Sequence, residues 1–295
     1  MNNKTKAVLC ILSAALFFAL MAAFAHLAGD LPAMQKAFFR NFIALFIAMV
    51  LLLRTKEKFH FQKRNLPGLL ARSLFGSVGV FCNFYAVDHL LLSDASMLNK
   101  LSPFFAVIAS YFLLKEKVSF RQGLTIVLAF LGALLIVKPS SASFGASLPA
   151  MVGFLGGVTA GIAYTFVRYL GQHGERAPFI VFFFSACSCL MTLPFLLFDY
   201  HPMTAQQLLC LLAAGACAAI AQFSITTAYS LAPAREISLF DYTQVIFSAI
   251  IGLFLFGQFP DHWSILGYGI IIGVSAYSFF RENPKILSKH PSSPQ

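Results

Sequence analysis

Charged residues are scarce in this sequence, and acidic residues are the scarcest of them. Only 11% of the 295 residues are charged, and Asp and Glu number 11 against 21 Lys and Arg. A soluble globular domain usually has about 25% charged residues, whereas this chain is 59% hydrophobic, contains 34 Phe and has a mean hydropathy of +0.78. So much apolar sequence excludes a soluble globular class and predicts an integral membrane protein.

Motifs of several functional classes are also missing. There is no G-x-x-x-x-G-K-[ST] phosphate loop, which excludes ATP hydrolysis, and neither H-E-x-x-H nor G-x-S-x-G occurs. The net charge of +10 does not predict nucleic-acid binding, because no basic stripe is interleaved with aromatic residues. The six cysteines lie inside apolar segments, where they are expected to be small apolar residues, and no metal or cofactor is expected.

Ten apolar segments of about 18–25 residues alternate with short connections. This length lets an α-helix cross about 30 Å of hydrocarbon, and lipid requires helices because it offers no partner to unpaired backbone groups. The first segment is longer than the apolar part of a signal peptide and is expected to stay attached. The segments run approximately over 7–27, 33–53, 66–87, 95–114, 121–138, 149–170, 178–198, 205–229, 236–256 and 263–281.

Lys and Arg are unevenly distributed over the connections. Sixteen of the 21 lie at one set of segment ends, Lys138 alone lies at the other set, and four lie within the apolar segments. An excess of Lys and Arg marks the cytoplasmic connections of membrane proteins. Both termini are therefore predicted to be cytoplasmic, in a multi-pass protein of the cell membrane.

The second half of the sequence repeats the first at an offset of about 141–143 residues. The stretch 12–29 aligns with 155–172, and 93–117 aligns with 234–258 with one gap. Each copy holds five apolar segments, and because five is odd, the second copy is expected to enter the membrane inverted. The predicted units are therefore residues 1–140 and 141–282, followed by a disordered polar tail over 283–295.

Three features of the sequence resemble a known group of membrane proteins. They are Arg40 in the second segment, the run SPFFAVIASYFLLKE (102–116) and its echo FSAIIGLFLFGQ (247–258), in which Gln258 stands where an acid is frequent. Over about residues 8–280 the chain resembles the drug/metabolite transporter superfamily, specifically a pair of EamA-type domains. The resemblance implies an all-α membrane fold of ten transmembrane helices in an inverted five-plus-five repeat. It also implies small-molecule transport by alternating access, without indicating the substrate.

Ionisable residues inside the apolar segments indicate where a site lies. An ionised side chain at the centre of a membrane helix costs about 2.5–3.5 kcal/mol on insertion scales, so it is expected to face the protein interior. Arg40 lies too deep to reach the membrane surface easily, whereas Lys36, one turn earlier, either extends to that surface or lines the same cavity. Only one acid, Asp241, lies deep in a segment, and this excess of positive charge predicts an anionic or zwitterionic substrate.

A central polar cavity is the predicted binding site. Lys100 and Asp241 occupy equivalent positions in the two repeats, and Pro103 leaves the Asn99 carbonyl without its helical donor, which predicts a kink beside Lys100. The cations would bind a carboxylate or phosphate, and Asp241 a substrate amine or one of the cations. The candidate substrate-binding residues are Arg40, Lys100, Asp241, Arg72, Asn99, Lys36, Asn83, Gln222 and Gln244.

Glycines at four-residue spacing favour close packing of helices. Gly153, Gly157 and Gly161 follow this spacing in the sixth segment, and Gly269 and Gly273 do so in the tenth. Packing within the chain is the favoured interpretation, because small residues let two helix backbones approach. The G-x-x-x-G pair of the tenth segment equally permits a homodimer.

The predicted function is secondary transport of a small polar metabolite, anionic or zwitterionic, driven by a gradient or by exchange. Two alternatives remain at this stage. A lipid-handling protein or scramblase would need a polar groove open to lipid, which sequence does not distinguish from a closed cavity. A membrane-embedded enzyme would need a catalytic motif and larger hydrophilic connections than this chain has.

Overall fold

Regular structure in the described part of the chain is entirely helical, which confirms the all-α part of the predicted fold class. The computed structural model describes residues 3–89, 98–137, 148–257 and 262–282, so the predictions for Lys138, Gln258 and the tail 283–295 lie outside the described residues. The α-helices are α1 (Asn3–Leu27), α2 (Ala33–Leu53), α3 (Leu66–His89), α4 (Ser102–Leu114), α5 (Phe120–Val137), α6 (Leu148–Gln172), α7 (Ala177–Phe198), α8 (Ala205–Leu231), α9 (Ala234–Ile237), α10 (Thr243–Phe256) and α11 (His262–Glu282).

Six helical stretches of the described residues are long and apolar enough to cross a membrane. They are Asn3–Leu27, Ala33–Leu53, Leu148–Gln172, Ala177–Phe198, Ala205–Leu231 and Ala234–Leu255. Two shorter apolar stretches, Ser102–Leu114 and Phe120–Leu135, accompany them. These bounds follow the predicted segments closely, because the polar connections that end each segment also end each helix.

Short-range sequence signals set several helix ends. Thr204 and Gln207 form a reciprocal capping box at the start of α8, in which the Thr204 hydroxyl accepts from the Gln207 backbone N–H. Pro178 lies in the first turn of α7, where a missing N–H costs little. At the other ends, Lys115 after α4 and Gly257 after α10 both adopt the left-handed conformation, with φ of 56° and 64°.

The fourth and ninth predicted segments are both interrupted. Residues 98 and 99 are helical, residues 100 and 101 form a turn, and α4 begins at Ser102, which confirms the predicted break beside Lys100. The segment predicted as one helix over 236–256 is divided instead into α9, a 3-10 helix over Ser238–Tyr242, and α10. The span is confirmed, since Ala234–Leu255 is long and apolar enough to cross a membrane. Its internal 3-10 turn was not predicted, because hydrophobic periodicity over five residues does not separate 3.0 from 3.6 residues per turn.

Most helix packing joins the first half of the chain to the second. The most extensive contacts pair α1 with α8 and α3 with α6, followed by α2 with α7, α5 with α11, and α4 with α6. In the two repeats, α1 corresponds to α6, α2 to α7 and α3 to α8. The α1–α8 pair therefore has the α6–α3 pair as its equivalent, and the α2–α7 pair is equivalent to itself. The two repeats are therefore interleaved within one bundle.

Glycines permit the closest of these approaches. A Cβ atom at Gly157 would lie 2.5 Å from the Leu98 carbonyl oxygen, and one at Gly161 would lie 2.7 Å from the Ala106 nitrogen. The packing prediction for the sixth segment is confirmed. Gly269 and Gly273 differ, since no atom of the described residues lies within 4 Å of a Cβ built at either position, and close helix packing there stays a prediction.

The bundle has two ends of different character. We call the end at which α1 begins and α6 and α8 end the basic end, and the end that holds Gly29, Pro32 and His201 the opposite end. A large buried apolar cluster fills the half next to the basic end, with members from each of the helices α1 to α9. At the opposite end the buried cluster consists of Ala28, Leu31 and Leu211, with Phe39, Met203 and Cys210 packed against it.

Candidate functional site

The two interrupted segments bring Lys100 and Asp241 together inside the bundle. The Lys100 amine donates a 2.6 Å hydrogen bond to Gln244 Oε1 and lies 4.0 Å from Asp241 Oδ2. Lys100 is 7% exposed and Asp241 4%. Irregular backbone at membrane depth is tolerated where it is buried in protein or lines a cavity, and here it supplies one cation and one acid to the same place.

This ion pair leaves hydrogen-bonding capacity unused. Asp241 Oδ1 is buried and has no partner among the described residues, and the hydroxyl oxygens of Tyr229 and Tyr242 share that condition. A buried polar atom without a partner costs roughly 1–3 kcal/mol. Two unpartnered hydroxyls within electrostatic range of a carboxylate that itself has an unpartnered oxygen therefore indicate a site that can accept a ligand, because a ligand's donors and acceptors would satisfy them.

Arg72 is buried against an aromatic ring. It lies on α3, is 3% exposed, and places its guanidinium carbon 4.1 Å from the ring centroid of Phe184 on α7, a cation–π distance. Its Nη1 occupies the space that a Cβ atom at Gly76 would need, so the absence of a side chain at Gly76 makes this position possible. Arg72 Nε is buried without a partner among the described residues.

Arg40 faces the same interior region from α2. Its guanidinium carbon lies 5.8 Å from the ring centroid of Phe18 on α1, and the residue is only partly buried. Arg40 lies within electrostatic range of Arg72. Two like charges in a membrane interior repel one another, so an anion between them would be favoured.

A stacked pair of tyrosines connects these groups, and the sequence predictions omitted it. Tyr164 of α6 and Tyr229 of α8 stack with ring centroids 4.9 Å apart and planes 6° apart. Tyr164 lies within electrostatic range of Arg40, Arg72 and Asp241. Tyr229 could have been found by extending the polar stripe of Gln222 and Thr226 by one helical step, whereas nothing in the sequence singles out Tyr164.

The four predicted amide residues differ in their partners, and two of them bind each other. Asn99 donates a 2.9 Å hydrogen bond to Asn83 Oδ1, which joins the residue before Lys100 to α3. Gln222 is 6% exposed and makes a 3.4 Å bond to Thr226 on its own helix. Of the predicted amides, only Gln244 contacts a charged member of the cluster.

Lys36 lies apart from the other predicted residues. Its amine donates a 2.7 Å hydrogen bond to the carbonyl oxygen of Gly29, in an exposed position at the opposite end. Lys36 and Arg40 thus separate although they are one turn apart, because one side chain extends to the connection and the other to the interior. Of the two alternatives left open by the sequence, this contact corresponds to extension toward the membrane surface.

The resulting site is a positively charged cluster of side chains within an apolar bundle. Its charged members are Arg40, Arg72, Lys100 and Asp241, so cations exceed acids by two. Guanidinium groups bind carboxylates and phosphates with charge-assisted hydrogen bonds. Among the residues that the structure describes, no group of three His, Cys, Asp or Glu could hold a metal ion.

An all-helical bundle of apolar helices around a buried ionic site defines a multi-pass membrane transporter. The chain belongs to the EamA-like transporter family, whose model matches it twice, over residues 5–138 and 147–280. The two matches confirm a pair of EamA-like repeats. Members of this family are transporters and not enzymes.

Curated relatives cover nearly the whole chain. The pseudopaline exporter CntI of Pseudomonas aeruginosa is 31% identical over 279 residues, which span 94% of this chain and 96% of that protein. An S-adenosylmethionine uptake transporter of Rickettsia prowazekii is 21% identical over 270 residues, 90% of each chain. A solved crystal structure that is 17% identical superposes with a TM-score of 0.78 over 92% of this chain and 96% of its own, which shows the shared fold.

Proposed function

We propose that this protein is a secondary transporter that moves a small anionic or zwitterionic metabolite across the cell membrane by alternating access. The observation that carries the proposal is the buried cluster of Arg40, Arg72, Lys100 and Asp241, with its unpartnered polar atoms. Ionisable groups at membrane depth characterise substrate and ion pathways. The surplus of two positive charges favours a substrate that carries a carboxylate or phosphate.

The proposed topology is an inverted five-plus-five repeat of ten spans, with repeats over 1–140 and 141–282 and both termini in the cytoplasm. The reciprocal packing of α1 with α8 and of α6 with α3 supports it. The interruptions at equivalent positions of the two repeats, beside Lys100 and Asp241, also support it, since discontinuous helices at a repeat interface are common in inverted-repeat transporters. The basic end then faces the cytoplasm.

The packing at the basic end suggests which side of the site is closed. Arg168 of α6 binds Glu116, with 3.1 Å between Nε and Oε1, and also donates to the carbonyl oxygen of Ser230 at the end of α8. A Cβ atom at Gly171 would lie 2.6 Å from the Ser230 Cα. Together with the Tyr164–Tyr229 stack, these contacts separate the ionic cluster from the basic end. We infer a state in which substrate reaches the site from the opposite end.

Substrate counterflow in liposomes tests the transporter and its site together. The purified protein is reconstituted with a panel of amino acids, organic acids, nucleotides and sugar phosphates. We expect counterflow of at least one carboxylated or phosphorylated compound, reduced at least about tenfold by Arg40→Gln, Lys100→Gln or Asp241→Asn. Lys63→Gln, an exposed charge change at the basic end, serves as the matched control and should retain the wild-type rate.

Two results would contradict the proposal. Wild-type counterflow in all three site variants would reject the ionic cluster as the binding site. Lipid flipping without movement of any solute would reject the transporter in favour of a scramblase.

A further inference from the structure

A groove in the apolar surface lies between α4 and the first half of α5. The cavity has a volume of about 240 Å³, which is below the roughly 300–1,000 Å³ of drug-sized ligand pockets and suits a single hydrocarbon chain. Its wall is almost entirely apolar. The lining residues are Phe104, Val107, Ile108, Tyr111, Phe112, Val118, Gly123 and Ile126.

The wall of the groove faces the membrane. Tyr111 and Phe112 on the α4 side are 53% and 73% exposed, and Phe120 at the start of α5 is 86% exposed. In a membrane-spanning bundle, apolar residues with this exposure contact lipid tails, and aromatic residues near helix ends lie at the membrane–water interface. The groove therefore lies in the leaflet next to the basic end.

The connection above the groove carries a local excess of exposed positive charge. Lys115, Lys117 and Arg121 are exposed and lie within three residues of groove-lining positions. The one acid among them, Glu116, turns inward: Arg168 and Gln172 both donate to its Oε1, at 3.1 and 3.5 Å. Because that carboxylate is engaged inside the bundle, the surface of the connection presents three cations without an opposing acid.

We propose that this groove is a binding site for an anionic phospholipid, with one acyl chain in the groove and the headgroup phosphate against Lys115, Lys117 and Arg121. Selectivity has to come from the headgroup, since lipid tails are about as apolar as the wall they contact. Basic residues near a membrane surface each favour anionic lipid by roughly fivefold, the factor that corresponds to about 1 kcal/mol. The site is independent of the ionic cluster and of the transported substrate.

Quenching of a tryptophan by brominated lipid tests the site directly. The chain has a single Trp, Trp263, so the full-length Trp263→Phe, Phe112→Trp protein reports from the groove alone. The probes are dibrominated phosphatidylglycerol and dibrominated phosphatidylcholine at low mole fraction in phosphatidylcholine vesicles. We expect phosphatidylglycerol to associate at least about fivefold more strongly, and Lys115→Gln, Lys117→Gln, Arg121→Gln to bring the two lipids to near equality.

A matched triple variant separates a local site from general surface charge. Lys56→Gln, Lys63→Gln, Arg64→Gln removes the same number and types of charges from the exposed α2–α3 connection at the same end, and the preference should persist in it. Equal quenching by the two lipids in the parent protein would overturn the proposal. Equal loss of preference in both triple variants would overturn it as well, because the charge effect would then not be local.

Discussion

The two ends of the helix bundle are packed to different degrees. At the basic end, nine helices contribute to one buried apolar cluster. Ion pairs join separate elements there, such as Lys4 of α1 with Glu236 of α9 and Arg168 of α6 with Glu116 after α4. At the opposite end, the buried cluster of Ala28, Leu31 and Leu211 is small among the described residues, and a cavity of about 340 Å³ opens there, lined mainly by residues 31–35 with Phe195 and Asp199.

This difference indicates how the bundle can move. The hydrophobic effect does not drive helices to associate within lipid, because lipid tails are as apolar as the helix surfaces. Close packing and polar contacts therefore decide which helices stay together. Among the residues that the structure describes, which do not include 90–97, 138–147 and 258–261, the opposite end has fewer of both. We therefore expect it to separate at a lower cost in free energy. Opening the basic end instead requires loss of the Arg168 contacts and of the approach of Gly171 to Ser230.

Truncating one leucine at each end gives the largest expected contrast. Leu170 is 0% exposed in the basic-end cluster and Leu211 is 2% exposed in the opposite one. Cavity formation on Leu→Ala substitution costs about 2.7–5.0 kcal/mol in rigid surroundings and less where the site can collapse. We therefore expect Leu170→Ala to lower the free energy of unfolding in detergent by about 3 kcal/mol, and more than Leu211→Ala does. Equal losses in the free energy of unfolding would show that the two ends are packed equally well.

Overpacking one glycine tests the closure of the basic end. Gly171→Val would force α6 away from Ser230, where a Cβ atom would lie 2.6 Å from the Cα; overpacking typically costs about 1–3 kcal/mol. Gly269→Val is the matched control, since no described atom lies within 4 Å of a Cβ there. We expect Gly171→Val to unfold at a clearly lower temperature than Gly269→Val. Equal unfolding temperatures would contradict the idea that the contact of Gly171 with Ser230 holds the basic end closed.

Removing the charge of Glu116 should have an intermediate effect. Glu116→Gln takes the partner from the partly buried Arg168, and we expect about 1–2 kcal/mol of destabilisation, because a charged group would lose its charge-assisted hydrogen bond. Denaturant unfolding measures it. The comparison at the opposite end is Asp199→Asn, whose exposed carboxylate lies 3.7 Å from His201 Nδ1 and for which we expect less than about 0.5 kcal/mol. A smaller loss of stability for Glu116→Gln than for the opposite-end variant would mean that the Arg168 contacts do not hold the basic end closed.

Loss of a helix cap at the opposite end is the smallest expected effect. Thr204→Ala removes the hydroxyl that accepts from Gln207 N–H at the start of α8, and such a change costs about 1 kcal/mol or less where the helix end is exposed. Thr204→Ser keeps the acceptor and serves as the control. A shift in melting temperature for the alanine variant alone is the expected result. A larger loss than that of Glu116→Gln would show that the opposite end is held more firmly than its packing indicates.

Much of the fold could be predicted from the sequence because it depends on local patterns. Apolar length predicts helices that span lipid, so the segment predicted over 33–53 and the helix Ala33–Leu53 coincide. The repeat predicted equivalent positions for Lys100 and Asp241, and Pro103 predicted the break beside Lys100. The divided ninth segment was missed because its 3-10 turn has nearly the same apolar spacing as an α-helix.

Composition, the length of the apolar segments and the internal repeat establish a helical membrane protein with two related halves and charges inside its apolar segments. The arrangement of those charges depends on how the helices pack. That packing separates Lys36 from Arg40, sets Arg72 on Phe184, and stacks Tyr164 on Tyr229. The physical reason is that hydrophobicity and helix periodicity are properties of neighbouring residues, whereas each partner in the site comes from a helix distant in the chain. Which helix faces meet is set by packing between those helices.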